Sequence, residues 1–126
     1  MTNDISVLVL DDEKAIRESL AAHFEDDDFK IFTAASAEQA LAIMERNAVN
    51  VVIVDLRLPG LDGSRFVLEA HSRWKEAAFI IYTGSSEYRL ETNLEAIPKV
   101  SKTVFFKPLK DLSLLSDEVR KIVQAT

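Results

Sequence analysis

The feature that most constrains the fold of this chain is an alternation. Short apolar runs, each too brief to be a buried helix, are separated by longer stretches in which apolar residues recur at helical spacing. Five runs read as strands: Ile5–Leu10, Phe29–Ala34, Val51–Val54, Phe79–Tyr82 and Thr103–Phe106. Three of them are almost uniformly apolar, as a strand is when helices cover both of its faces. Between the runs, Ile16, Leu20 and Phe24 form one helical stripe. Ala37, Ala40, Leu41 and Met44 form a second, opened by Ser36 and Gln39 at capping-box spacing. A third helix begins at Gly63 and buries Phe66, Val67, Ala70 and Trp74. A fourth, capped by Ser85 or Ser86, carries Leu90, Leu94 and Ile97 and stops at Pro98. Leu112, Leu115, Val119, Ile122 and Val123 make the fifth. With right-handed crossovers, the most economical arrangement is an α/β fold, a (βα)5 doubly wound parallel five-stranded sheet.

A length of 126 residues with 48% hydrophobic and 29% charged residues suits one domain spanning 1–126. Acidic residues outnumber basic ones, 21 to 15, for a net charge of -6. Such a surface repels phosphate backbones and anionic lipid, which argues against direct nucleic-acid binding. The absence of cysteine excludes disulfides, thiol nucleophiles and thiolate metal sites. The longest apolar runs, Ile5–Leu10 and Ala77–Tyr82, are far below the roughly 18 residues of a membrane span. Met1-Thr2-Asn3-Asp4 has neither the basic start nor the apolar stretch of a secretory signal, so a cytoplasmic location is expected.

In open α/β sheets, ligands bind beyond the carboxyl ends of the strands. After strand one come Asp11, Asp12 and Glu13; strand three ends in Asp55, strand four in Thr83 and strand five in Lys107-Pro108. Strand two ends in Ala34-Ala35, with nothing reactive. If strands one and three are neighbours, as in the flavodoxin-like order 2-1-3-4-5, then Asp11, Asp12 and Asp55 converge. Three carboxylates that close cannot all stay ionised unaided; either one has a raised pKa or an oxygen-ligated divalent cation such as Mg²⁺ neutralises them. With Lys107 and Thr83 nearby, such a pocket is equipped for phosphoryl transfer to a carboxylate nucleophile.

Taken together, Val9-Leu10-Asp11-Asp12-Glu13, the stretch Asp55-Leu56-Arg57-Leu58-Pro59-Gly60-Leu61-Asp62-Gly63, Tyr82-Thr83-Gly84 and Phe106-Lys107-Pro108 resemble a response-regulator receiver domain of two-component signalling. The resemblance runs the length of the chain. It implies that Asp55 is the phosphoacceptor for a sensor histidine kinase or histidine phosphotransfer protein. Asp12, Asp55 and the backbone carbonyl of Arg57 would hold Mg²⁺, with Asp11 acting through water. Thr83 and Lys107 would bind phosphoryl oxygens, and Pro59, Asp62 and Gly63 would shape the loop after the acceptor. It further implies an output face of helix four, strand five and helix five, acting on an effector, an output domain or a second copy of the chain. The only reaction catalysed would be its own phosphorylation and dephosphorylation.

Two positions depart from the family pattern. Many receivers carry an aromatic three residues before the strand-five lysine, where this chain has Val104, and Thr83 is followed by Gly84 in place of the common alanine. Arg57 and Ser85 occupy positions that in the family tune phosphoryl hydrolysis. A pseudo-receiver that binds partners without phosphorylation is the alternative that Val104 supports. A haloacid-dehalogenase-type phosphatase would need an acid where Arg57 stands, and a flavodoxin would need a hydroxyl-rich loop where Asp11-Asp12-Glu13 stands. Asp62-Gly63 reads as turn chemistry, and Glu25-Asp26-Asp27-Asp28 as a solvated turn. His23 and His71 lie in helical segments away from the strand ends.

Overall fold

The computed structural model describes residues 4–58 and 62–124. Its strands are β1 (Ser6–Leu10), β2 (Lys30–Ala34), β3 (Val51–Val54), β4 (Ala78–Thr83) and β5 (Phe105–Phe106). The helices between and after them are α1 (Lys14–Asp26), α2 (Ala37–Arg46), α3 (Gly63–Arg73), α4 (Thr92–Glu95) and α5 (Ser113–Gln124). The sheet is parallel throughout, in the expected order β2-β1-β3-β4-β5. The three central strands are buried along their whole length, whereas β2 at the edge exposes Lys30 and Thr33.

Alternation along the strands divides the interior in two. Leu8, Leu10, Val52, Val54, Phe79 and Ile81 face α2, α3 and α4, where they meet Ala40, Met44, Phe66, Val67 and Leu94. Val7, Val9, Val51, Ile53, Ile80 and Tyr82 face α1 and α5, where they meet Leu20, Phe24, Leu115 and Val119. α1, α2, α3 and α5 thus each turn the stripe read from the periodicity toward the core. The Ser36 hydroxyl caps α2 by accepting from the Gln39 N–H at 3.2 Å. Gln39 Oε1 in turn accepts from the Ala35 N–H at 2.8 Å, one residue before the cap.

Two elements are shorter than their patterns predict. The fourth helix is a single turn, capped by Glu91 and not by Ser85 or Ser86. Tyr88 and Leu90 are both half-buried, yet residues two apart point to different sides of a helix and cannot share one buried face. A loop, closed by the Tyr88 N–H to Ser85 carbonyl bond of 3.1 Å, accommodates both. Strand five is reduced to Phe105–Phe106 because the edge of β4 pairs with two separate pieces of chain. Phe79 exchanges hydrogen bonds of 2.8 Å with Lys99 and Ser101, and the ladder resumes at Tyr82 and Phe105.

Asp62 caps α3, its carboxylate accepting from the Arg65 N–H at 2.9 Å, as the turn reading anticipates. Gly63 is needed for space and not for an unusual backbone angle. A Cβ there would lie 2.5 Å from the Asp55 carbonyl oxygen and 2.7 Å from Leu56 Cα, both backbone atoms with little freedom to retreat. Gly63→Ala is therefore expected to cost about 1–3 kcal/mol through overpacking. Chemical denaturation will check this, and a variant as stable as the parent would show that the loop after Asp55 yields freely.

Candidate functional site

The register of the sheet builds the site. Leu10 pairs with Val54, so the next residues, Asp11 and Asp55, emerge side by side at the carboxyl edge. The backbone ladder reaches both, with the Asp55 N–H bonded to the Leu10 carbonyl at 2.9 Å and the Asp11 N–H to the Ala34 carbonyl at 3.1 Å. Thr83 pairs with Phe106, and the Lys107 N–H donates to the Thr83 carbonyl at 2.8 Å, which brings the fifth strand end to the same edge.

Carboxylate oxygens of Asp11, Asp12 and Asp55 lie within 4.8 Å of one another. Asp11 and Asp55 are buried, at 2% and 5% exposure, and Asp12 is exposed. The Lys107 ammonium stands between the buried pair, 2.7 Å from Asp11 Oδ2 and 3.3 Å from Asp55 Oδ2. The remaining oxygens accept backbone hydrogens: Asp11 Oδ1 from Glu13 at 2.9 Å and Asp55 Oδ1 from Arg57 at 3.2 Å. Arg17, reaching back from α1, donates to the Asp11 carbonyl at 2.8 Å and fixes the loop that carries the acids.

Electrostatics follows from this crowding. Burial pushes the Asp55 carboxyl above the usual aspartate pKa. The Arg57 N–H pulls it down, the Asp11 charge pushes it up, Lys107 pulls it down, and the net shift is upward. For Lys107, burial alone would lower the pKa, but the hydrogen bond and charge of Asp11, together with Asp55, hold it above the usual lysine value. Both proposed reliefs of carboxylate repulsion are therefore open at once: a raised pKa on one acid, and a donor set of hard oxygens suited to Mg²⁺.

Thr83 is fully buried, and its hydroxyl accepts from the Ser85 N–H at 3.2 Å. With Arg57, Ser64 and Tyr88 it lines a cavity of about 270 Å³ beside the acids. Pro59 lies outside the described residues. His23 is remote from the pocket, bridging α1 to α5 through Ser116 at 3.0 Å and contacting Asp27 at 3.3 Å. Asp28, in the acidic turn, has a positive φ of 66°, as turn aspartates tolerate. Arg17 and Tyr88 escaped the sequence reading because neither occupies a strand end.

The raised Asp55 pKa sets a sign. Its folded pKa exceeds the unfolded one, so the stability it contributes is present when the acid is protonated and is lost as pH rises through the folded pKa. Without divalent metal, Asp55→Asn should therefore melt higher than the parent at pH 7, and the difference should shrink toward pH 4. Thermal scans at both pH values check this, and an equal gap at the two would contradict it.

A family model described as response regulator receiver domain matches residues 7–119. Among curated proteins, a putative NtrX-like response regulator of Rickettsia typhi is 32% identical over 115 residues, covering 90% of this chain and 24% of its own length. The hydrogenase transcriptional regulatory protein HoxA of Cupriavidus necator is 37% identical over 82 residues, 65% of this chain and 17% of its own. The chain thus spans less than a quarter of the length of these two relatives. Among solved structures, the response regulator TrrA of Thermotoga maritima, in complex with Mg²⁺-BeF, superposes with a TM-score of 0.81 at 29% identity, covering 94% of this chain and 98% of that one. The family match begins in β1 and ends in α5, taking in every strand end just described, and the chain belongs to the response regulator receiver domains of two-component systems.

Proposed function

We propose that residues 1–126 form one receiver unit, a phosphorylation-controlled switch whose phosphoacceptor is Asp55. The observation that carries this reading is the placement of Asp55 Oδ2 within 3.3 Å of the Lys107 ammonium in a pocket shared with Asp11 and Asp12. The reaction transfers a phosphoryl group from a phosphohistidine of a sensor kinase or histidine phosphotransfer protein. An Asp55 carboxylate oxygen attacks phosphorus, the O–P bond forms, the P–N bond breaks, and the imidazole leaves with its electron pair. Hydrolysis of the acyl phosphate by water restores the carboxylate, so the chain acts on no other substrate in this reading.

Asp12, Asp55 and the Arg57 backbone carbonyl would hold Mg²⁺, with Asp11 reaching it through water. When bound, Mg²⁺ supplies charge neutralisation for the phosphoryl oxygens. Its presence also favours the ionised form of Asp55, against the burial that opposes it. Lys107 exchanges its contact with Asp55 for one with a phosphoryl oxygen. Thr83 already accepts from the Ser85 N–H, so its own proton is free to donate to another phosphoryl oxygen. The consequence is a change on the face made by α4, β5 and α5, directed at an effector, an output domain or a second copy, in a cytoplasmic setting. Val104, where many receivers have an aromatic, favours a second reading as a pseudo-receiver.

Two experiments separate the readings. Incubation with a small phosphodonor and Mg²⁺, followed by intact mass measurement, should add one phosphoryl group to the parent and none to Asp55→Asn. No adduct from any small donor or kinase would leave the pseudo-receiver as the better account. Calorimetric titration should show Mg²⁺ saturating in the millimolar range, and binding should be lost in an Asp12→Ala, Asp55→Ala double variant. Undiminished binding by that variant would remove the metal assignment. Calorimetry is preferable to tryptophan fluorescence because Trp74 stands at the far end of the 11-residue α3, about 16 Å along the axis from its start.

A further inference from the structure

We infer that Tyr88 carries the state of Asp55 to the α4–β5 face by moving its ring between two cavities that it separates. This deepens the phosphoacceptor reading and rests on it. The first cavity, of about 270 Å³, lies on the site side and is lined by Tyr88 together with Thr83, Ser85, Ser64 and Glu91. The second, of about 360 Å³, is lined by Tyr88 with Arg89, Leu90, Glu95, Lys102, Val104 and Phe106. Among the described residues Tyr88 alone lines both.

Its ring is packed against the α2–α3–α4 core, yet its hydroxyl is buried without a hydrogen-bond partner of good geometry. The polar groups around that hydroxyl belong to the Ser64 side chain and the Glu91 backbone. Burial pushes the phenol above the usual tyrosine pKa, so it is a neutral donor in need of an acceptor. A buried polar group left unsatisfied makes its present position costly.

The link to Asp55 runs through the loop. Thr83 Oγ1 now accepts from the Ser85 N–H, and the Ser85 carbonyl accepts from the Tyr88 N–H. Turning Thr83 toward a group on Asp55 while it keeps the first bond draws Ser85 inward, and a Cβ at the intervening Gly84 would meet nothing within 4 Å, so the backbone there is uncrowded. Both movements shrink the first cavity. The second cavity can receive the ring because position 104 holds a valine and not a larger side chain, on the same side of the sheet as the core that Tyr88 packs against. There the Glu95 carboxylate, which lines the same cavity, would offer the acceptor the hydroxyl lacks, and the ring would fill the hollow between α4 and β5.

The test is ring-labelled tyrosine NMR with Mg²⁺ alone and with Mg²⁺ plus beryllofluoride, read beside the ¹⁹F spectrum of bound fluoride. Tyr88 ring contacts are expected to pass from Ser64 and Glu91 to Val104 and Phe106 only when beryllofluoride is bound. In Val104→Trp, which fills the second cavity, the bound ¹⁹F signal should persist while the ring stays in place. Tyr88→Phe keeps the ring, should fold as the parent does, and should show fewer Val104 contacts than the parent when beryllofluoride is bound, having no unsatisfied hydroxyl to favour leaving the first cavity. A bound ¹⁹F signal with Tyr88 still against Ser64 overturns the inference and leaves the phosphoacceptor reading intact. The absence of any bound signal overturns both.

Discussion

The contact on which the site depends is the Lys107 ammonium held between Asp11 and Asp55, 2.7 Å from one and 3.3 Å from the other. It joins the ends of three strands that are far apart in sequence, and it forms only because the sheet is parallel and in this register. Leu10 beside Val54 puts the two acids abreast, and Thr83 beside Phe106 sets Lys107 one step beyond. A slip of one residue in either pairing would turn an acid or the amine to the opposite side of the sheet. The apolar strand interiors that forbid such a slip therefore also specify the chemistry at the edge.

Concentrating like charges in a buried place opposes folding, and the two cores offset that cost. Every residue of β1, β3 and β4 is buried, with α2, α3 and α4 packed on one face and α1 and α5 on the other. Lys107 relieves part of the repulsion, but one ammonium faces three carboxylates. The raised pKa of Asp55 comes first from burial, with the charge of Asp11 adding to it against the opposing pull of the Arg57 N–H and Lys107. A pocket in this state gains from any added positive charge. That is a physical reason for affinity toward a divalent cation, independent of family resemblance.

What could be read from the sequence tracks how strongly burial constrains each element. The central strands and the stripes of α1, α2, α3 and α5 were legible because period and composition agree there. The fourth helix was not: Leu90, Leu94 and Ile97 make a plausible stripe, and only packing shows that Tyr88 competes with it. The edge strand β5 is shorter than its pattern because residues 103–104 look like strand in isolation, whereas the Lys99–Ser101 segment takes the hydrogen bonds of Phe79. The strand-end acids, Thr83 and Lys107 were visible as residues, and parallel topology does place them at one edge. Gly63 reads as turn chemistry in the sequence, whereas its close approach to the Asp55 backbone arises only from tertiary packing. Arg17 and Tyr88 act through long side chains whose direction no pattern encodes.

Alternation along the strands also sets the acids and Thr83 on opposite sides of the sheet, so the proposed signal would have to cross it. Val7 and Val9, Val51 and Ile53, and Phe105 belong to the α1–α5 side, and Asp11, Asp55 and Lys107 continue those same alternations. The position of Lys107 over the Tyr82 ring, 5.8 Å from its centroid, agrees with that side. Thr83 continues the alternation of Phe79 and Ile81, which belongs to the opposite side, with α3, α4, Tyr88 and Val104. Thr83 is thus the strand-end residue whose backbone joins the Lys107 edge while its side chain faces the other layer. In the proposed switch, a change at Asp55 would reach α4 by pulling on a hydroxyl rooted in that second layer. Whatever fills the space behind that hydroxyl then governs the response of the outer face, and in this chain the ring beside it comes from the loop at Tyr88 and not from strand five.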